Sequence, residues 1–411
     1  MAPLALESIH PVNLLSFGPD TEPIEIRPLN ILIGSNGSGK SNLIEAIRLL
    51  HFLPDKDPWS VVLATGGVSE WIWKGTKRET ARCSLGAAFS IGDEHQQNVG
   101  LPIEHLEFKI ELDGSGDSFR VKSESLLFRN DSLHPGRYLF KREGSEGGIG
   151  PGLGAFSEEP RAFFHLARDR SIFSQLASPS VQASGLGARI PETFEVAEFL
   201  ESFDFHQDWE FGENCAARRP QPVGQSVDRL RRDAANLAQI LAHLRDNHKA
   251  TFLRITDLVA RFYEPAKSVE VRVIGTSLQI AIEEKNEHST PATRLSDGML
   301  RWLAILCILL NPTPAPVTCV DEPELGLHPD ILPALADLLR DASSRTQLVV
   351  TTHSSVLVDE FSSDPESICV TEKIDGSTVI RRLQQQELAV WLKDYSLGNL
   401  WTTGQIGGNR W

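Results

Sequence analysis

Five consecutive residues with four apolar side chains, Leu29 to Ile33, are followed by eight small and polar ones, after which Leu43, Ile44, Ile47 and Leu50 recur at helical spacing. A short apolar run reads as a buried strand and the three-to-four spacing as a helix with one apolar stripe, so the pattern predicts strand, tight turn and helix, with Pro54 and Pro58 ending the helix. Between about 80 and 140 the period shortens to two. HLEFKIEL and SFRVKSESLLF, on either side of the turn Asp113 to Gly116, predict an antiparallel hairpin. Residues 144 to 154 hold six glycines, with no apolar strand before them and no Lys-Ser/Thr after, and read as a flexible loop. Aromatic and proline-rich text with little periodicity runs from 155 to 225, and a long helical stretch is expected from Ser226 to Phe262.

A second hairpin is predicted at 268–283. The pattern then alternates between helix and buried strand: helix 297–310, strand 316–320, helix 330–342, strand 346–351 and a short helix from about 354. Such alternation implies an α/β layer with parallel strands. The two α/β pieces are each too small to stand alone, and are expected to join across the middle of the chain into one sheet. This gives three expected segments: an N-terminal lobe with an antiparallel β subdomain (1–143), an inserted, largely helical middle segment (144–265) and a C-terminal lobe (266–411).

Composition narrows the class. The 411 residues are 41% hydrophobic, enough for a sizeable core, and carry a formal charge of −15, so any contact with nucleic acid needs a local basic surface. The five cysteines (83, 215, 307, 319 and 369) show no CxxC or His/Cys spacing, which argues against a disulfide framework or a zinc site and fits a reducing cytoplasm. The longest apolar stretch, Trp302 to Leu310, is too short to span a bilayer, and no membrane partner is expected.

The residues between the first strand and helix carry the chemistry. Gly34, Ser35, Asn36, Gly37, Ser38, Gly39, Lys40 and Ser41 read GSNGSGKS, a phosphate-binding loop in its strand-turn-helix context. Its glycines let backbone N–H groups face an anion, the helix adds its positive end, Lys40 is expected to reach the β- and γ-phosphates, and the Ser41 hydroxyl to hold Mg2+. Asn42 continues the cradle. A phosphate loop needs a second strand ending in carboxylates, and VTCVDE (317–322) supplies Asp321 as a metal ligand and Glu322 as the base for water. His353 follows another buried strand, where it could contact the γ-phosphate. Ser296, Asp297 and Gly298 open a helix, either as an ordinary cap or as an anion site for a nucleotide held by another subunit.

In this order GSNGSGKS, LSDGMLR, VTCVDEPELGLHP and TTHS resemble the ABC-type ATPases of the SMC, RecF and OLD group, closest to stand-alone AAA-type ATPases with an OLD-like ATPase domain and no Toprim nuclease domain. The resemblance implies a P-loop NTPase head built from the N- and C-terminal segments. It makes Lys40 and Ser41 part of Walker A, Ser296 to Met299 the signature, Asp321 and Glu322 Walker B, and His353 the switch histidine; GLHP after Glu324 becomes the D-loop counterpart. ATP and Mg2+ are the implied cofactors, and an ATP-closed homodimer with two composite sites the implied assembly. LSDGM departs from the transporter sequence LSGGQ, and no glutamine stands in a Q-loop context. The 58 residues after His353 are too few for a Toprim domain, and no long heptad run suits an SMC coiled coil, so effector chemistry is expected of a partner protein. The implied role is a switch in DNA repair or anti-phage and anti-plasmid defence, with Arg161, Arg168, Arg170, Arg218, Arg219, Arg229, Arg231 and Arg232 as a candidate DNA contact. The alternatives are an ATPase subunit of a transport or assembly complex, and a scaffold docking through Trp391, Tyr395, Trp401 and Trp411.

Overall fold

The computed structural model describes residues 4–75, 82–92, 105–115, 118–130, 133–149, 162–176, 191–207, 209–224 and 228–408. The strands in chain order are β1 (Leu4–Val12), β2 (Ile24–Glu25), β3 (Leu29–Ile33), β4 (Arg82–Ile91), β5 (His105–Ser115), β6 (Ser118–Asn130), β7 (Leu133–Glu143), β8 (Glu146–Ile149), β9 (Ala162–His165), β10 (Asp204–His206), β11 (Gln221–Pro222), β12 (Ala266–Ile274), β13 (Ser277–Glu284), β14 (Ser289–Pro291), β15 (Val317–Asp321), β16 (Gln347–Thr351), β17 (Ile368–Ile374) and β18 (Ser377–Arg382). The principal helices are α1 (Lys40–Phe52), α2 (Pro191–Glu201), α3 (Leu237–Asn247), α4 (Lys249–Phe262), α5 (Asp297–Leu309) and α6 (Leu332–Ser343).

One six-stranded sheet runs β10-β15-β16-β3-β17-β18, with every pair parallel except β17 with β18. N- and C-terminal pieces therefore do join: β3 lies between β16 and β17, with Ile31 opposite both Val350 and Ile368. All five residues of β3 are buried, as expected of a strand covered on both faces. Helix α1 packs its stripe of Leu43, Ile44, Ile47 and Leu50 into one core cluster, which also takes in the antiparallel sheet. Helix α5, buried on every side from Met299 to Leu309 and apolar there except at Arg301, sits in the other core with α3, α4 and α6.

The predicted hairpin is β5–β6, paired through Ser115↔Ser118, in an eight-stranded antiparallel sheet ordered β2-β1-β4-β5-β6-β7-β8-β9. Gly116 of its turn lies outside the described residues. The glycine-rich stretch is partly strand: residues 146–149 form β8, held between β7 and β9 by both ladders, while 150–154 lie outside the described residues. Glycine lowers strand propensity, but pairing on both sides supplies the missing stability here.

The single helix expected from Ser226 is instead two. Asn236 accepts from Arg231 N–H (2.7 Å) and donates to Arg229 O (2.9 Å), which holds 229–236 in turns, so α3 starts at Leu237; Ser226 itself lies outside the described residues. At His248 the backbone leaves helical geometry (φ −132°, ψ 59°), and α4 folds back so that Phe252, Ile255 and Val259 enter the same core as Leu237, Leu241 and Leu244. The middle segment also gives an edge strand to the parallel sheet, since β10 pairs with β15 in the register Phe205↔Cys319. Four cysteines are buried and all five are free. No helix among the described residues is long and apolar enough to cross a membrane.

Candidate functional site

Because β3, β15 and β16 run parallel, their carboxyl ends share one edge of the sheet, and the loops that leave this edge carry the sequence-predicted residues. Gly34 follows β3 directly, and α1 begins at Lys40 with Gly39 as its N-cap. Gly39 has φ +112°, and a Cβ there would lie 2.1 Å from Thr378 Oγ1. Glycine is thus required for conformation and for space. Thr378 Oγ1 in turn sits 2.8 Å from Ser38 O and 2.6 Å from Ser16 Oγ, so β18 braces the loop from behind.

No side chain caps α1, which leaves its first N–H groups open to an anion. Gly34, Ser38 and Gly39 are buried, Asn36, Gly37 and Ser41 are exposed, and Ser35 and Asn42 lie between. Ser38 Oγ is buried without a hydrogen-bond partner. Lys40 is only 6% exposed, and its ammonium donates to Gly34 O (2.8 Å) and Ser35 O (3.2 Å). Burial lowers its pKa, against the opposing charges of Glu322, Asp321 and Glu324. The lysine therefore lies in the field of the carboxylates at the end of β15.

Asp321 closes β15 and accepts a hydrogen bond from the Thr351 hydroxyl. Glu322 has φ +45°, an unusual left-handed conformation for a residue that is not glycine, and Pro323 follows it. Its N–H is held by Thr351 O (3.2 Å) and Thr351 Oγ1 (3.1 Å). His353 Nε2 stands 3.5 Å from Glu322 Oε1, both side chains being 36% exposed. Burial chiefly, then the Lys40 charge, lowers the His353 pKa, against Glu322 and Asp321.

Sequence reasoning gave Glu324 no role. Its Oε1 accepts from the Thr352 hydroxyl (2.7 Å) and from His353 N–H (3.0 Å), so it fixes the backbone that carries the histidine. Burial raises its pKa, and Oε2 is buried without a partner. The third acid in DEPE was the available signal.

The residues expected from sequence to form the signature stand at another helix start. Ser296 caps α5 by accepting from Met299 N–H (3.2 Å), the ordinary-cap geometry. Asp297 pairs with Arg218, whose guanidinium also donates to Leu295 O (2.6 Å), Ala292 O (2.9 Å) and Gly212 O (3.2 Å). A Cβ on Gly298 would lie 2.6 Å from Gly326 O, so this helix start packs directly on the turn after Glu322. Arg218 is buried, and Arg229 donates to Ser202 O (2.6 Å), so these two are tied to main chain rather than displayed on a basic face. Arg161 lies outside the described residues.

Among the described residues no cluster of three His, Cys, Asp or Glu could hold a metal alone. Asp321 carboxylate and Ser41 hydroxyl are hard oxygen donors, and Mg2+ suits such a sparse set because it completes its shell with phosphate oxygens and water. An uncapped helix start, the unpartnered Ser38 hydroxyl and a lysine folded onto loop carbonyls likewise fit a nucleotide phosphate.

A parallel sheet with a phosphate loop after one strand and paired acids after another defines a P-loop ATPase. The chain belongs to the family described as "AAA domain, putative AbiEii toxin, Type IV TA system", which it matches over residues 29–359, and it is an ATP-hydrolysing enzyme of that AAA class. Among solved structures it is similar to an SmcHead bound to the C-winged helix domain of ScpA (14% identity, TM-score 0.53, covering 93% of this chain and 99% of that one). It is also similar to an Smc head domain with an extended coiled coil bound to the C-terminal domain of ScpA derived from Pyrococcus furiosus (13% identity, TM-score 0.54, covering 95% and 99%). The fold is that of an SMC-type ATPase head.

Proposed function

We propose that this ATPase works as an ATP-closed homodimer with two composite, Mg2+-dependent sites, and that closing and opening switches a partner effector in defence against phage or plasmids or in DNA repair. The observation that carries the reading is the grouping of Lys40, Asp321, Glu322 and His353 in one electrostatic cluster, drawn from three separate stretches of chain. In this reading Lys40 exchanges the Gly34 and Ser35 carbonyls for phosphate oxygens, and Glu322 takes the proton of the attacking water. His353, neutral near pH 7, is available to hydrogen-bond the γ-phosphate through its ring. Ser41 and Asp321 would hold Mg2+, which supplies charge neutralisation of the phosphates.

The signature helix start of the opposite subunit, Ser296 and Gly298, completes each site. ATP then favours the closed pair because only the closed pair contacts it from both sides, and that differential affinity is what drives a switch. Membership of a family that includes a putative type IV toxin supports the defence role, and the ScpA-bound heads support docking of a partner. Direct DNA contact has less support, because Arg218 and Arg229 are spent on carbonyl groups. The reading also places the protein in the cytoplasm.

Complementation tests the composite sites. Lys40→Ala and Ser296→Arg subunits are each expected to be inactive alone, whereas their mixture recovers hydrolysis because one site of the heterodimer has both halves intact. Full activity of Ser296→Arg alone, or a mixture as silent as its components, contradicts the reading.

A further inference from the structure

Arg301 lies in α5, five residues beyond Ser296, and is buried to 9% exposure although nothing in the chemistry above uses it. Its guanidinium centre sits 5.6 Å from the ring centroid of Trp209 and 5.6 Å from that of Phe211. Nη2 donates to Trp209 O (3.1 Å), and Nη1 makes a long contact of 3.5 Å with Glu322 O. Glu324, Glu322 and Asp297 are the acids whose charges act on it. Burying a guanidinium is strongly unfavourable unless its surroundings compensate it. Two aromatic faces, two carbonyls and three nearby carboxylates do so here, which makes its position well defined.

What Arg301 reaches is the peptide group of a strained residue. Glu322 is left-handed and precedes proline, and such a conformation persists only where neighbours over-determine it. Thr351 holds its N–H side through two acceptors, and Arg301 faces its carbonyl side. The start of the same helix meets the same turn again, where Gly298 abuts Gly326 O. Helix α5 thus bears on the Glu322 turn at two points, at Gly298 near its start and at Arg301 a little under one turn further on.

We propose that Arg301 is a positioning residue that sets the backbone of Glu322 and mechanically couples the signature helix to the catalytic base. The inference rests on Glu322 being that base. A ligand that engages the N-terminus of α5 shifts a rigid helix, and the shift is delivered to Glu322 through the guanidinium. Each site is then informed that its own subunit's signature end is occupied.

The test compares Arg301→Met, Arg301→Lys, Glu322→Gln and the double variants, reading kcat, ATP affinity and melting temperature. Arg301→Met is expected to lower kcat by about 100-fold, the loss typical of a reacting group displaced by about 1 Å, with ATP affinity unchanged. Arg301→Lys, which keeps the charge but not the fork, is expected to fall between Met and wild type. Adding either change to Glu322→Gln should lower the residual rate no further, because both act through one group.

Losses that multiply in the double variant, or a fall in affinity and melting temperature that accounts for the fall in kcat, overturn the proposal. If Arg301→Met fails to fold, Arg301→Lys alone and with Glu322→Gln makes the same comparison. Wild-type hydrolysis by Glu322→Gln would instead remove the base assignment, and this inference with it. An inactive Glu322→Gln beside a fully active Arg301→Met would remove this inference alone.

Discussion

Replacing Arg142 by Met tests how the middle of the chain is clipped to the antiparallel sheet. Arg142 on β7 and Glu124 on β6 face each other at 3.4 Å with both side chains 0% exposed. The guanidinium also donates to Ala167 O (2.6 Å), Arg170 O (2.7 Å) and Gly144 O (2.8 Å), while Glu124 accepts from the Ser171 hydroxyl and from Ile172 N–H (2.9 Å). The pair therefore ties residues 167–172 to the sheet. Methionine fills much of the volume but strands the carboxylate, and an uncompensated buried charge costs about 3–5 kcal/mol.

Protonation relieves part of that cost, which gives the prediction its shape. Burial already raises the Glu124 pKa, with Arg142 the main opposing influence, and removing the arginine raises it further. Above the unfolded carboxyl value of about 4.3 the folded variant retains a proton that the unfolded chain has lost, so stability falls as pH rises, by about 1.4 kcal/mol per unit until the folded pKa is passed. Urea unfolding at about pH 5.5 and about pH 8 should show a larger deficit at the higher pH, and Glu124→Gln with Arg142→Met should abolish the difference. A loss below about 1 kcal/mol, or an equal loss at both pH values, refutes the reasoning.

Lys40→Met should abolish binding of a fluorescent ATP analogue yet leave the nucleotide-free melting temperature unchanged or higher, since it removes a partly desolvated charge; retained binding would contradict the phosphate-loop role. Gly39→Ala should destabilise the loop by about 1–2 kcal/mol from the left-handed backbone alone, with more from displacing Thr378, read as a fall in unfolding midpoint together with ATP affinity. His353 has a lowered pKa, so at pH values between its folded and unfolded pKa it is neutral when folded while still protonated when unfolded. Its contribution to stability is lost as pH falls through the unfolded value of about 6.5 and is fully lost below the depressed folded one, a slope that His353→Gln should flatten in a pH series of melting curves.

Much of the site was legible because it is local. GSNGSGKS, VTCVDE and TTHS each place their chemistry within a few residues of a short apolar run, and parallel pairing of those runs brings Lys40, Asp321, Glu322 and His353 to one edge. The partners of Glu324 and Arg301 were not legible, because they come from Thr352 and His353 just after β16 and from the 209–211 stretch, far away along the chain. Strand β10 is three residues, Asp-Phe-His, with no period to detect, and exists only because the edge of β15 receives it. The helix break at His248 follows from the need of α3 and α4 to bury faces in one core, a tertiary demand that overrides helical periodicity. Of the arginines read from 218–232, Arg219 and Arg231 stay exposed, whereas Arg218 is drawn inside for the same kind of reason: it found five acceptors that no spacing rule foretells.

Light scattering of Glu322→Gln during size exclusion, with and without Mg-ATP, addresses the central claim most directly. An acid that acts only in hydrolysis can be removed without losing nucleotide affinity, so the variant should run as a dimer with Mg-ATP and as a monomer without it, and adding Ser296→Arg should return it to monomer. A Glu322→Gln variant that binds ATP tightly yet has one and the same mass in both conditions would contradict the account.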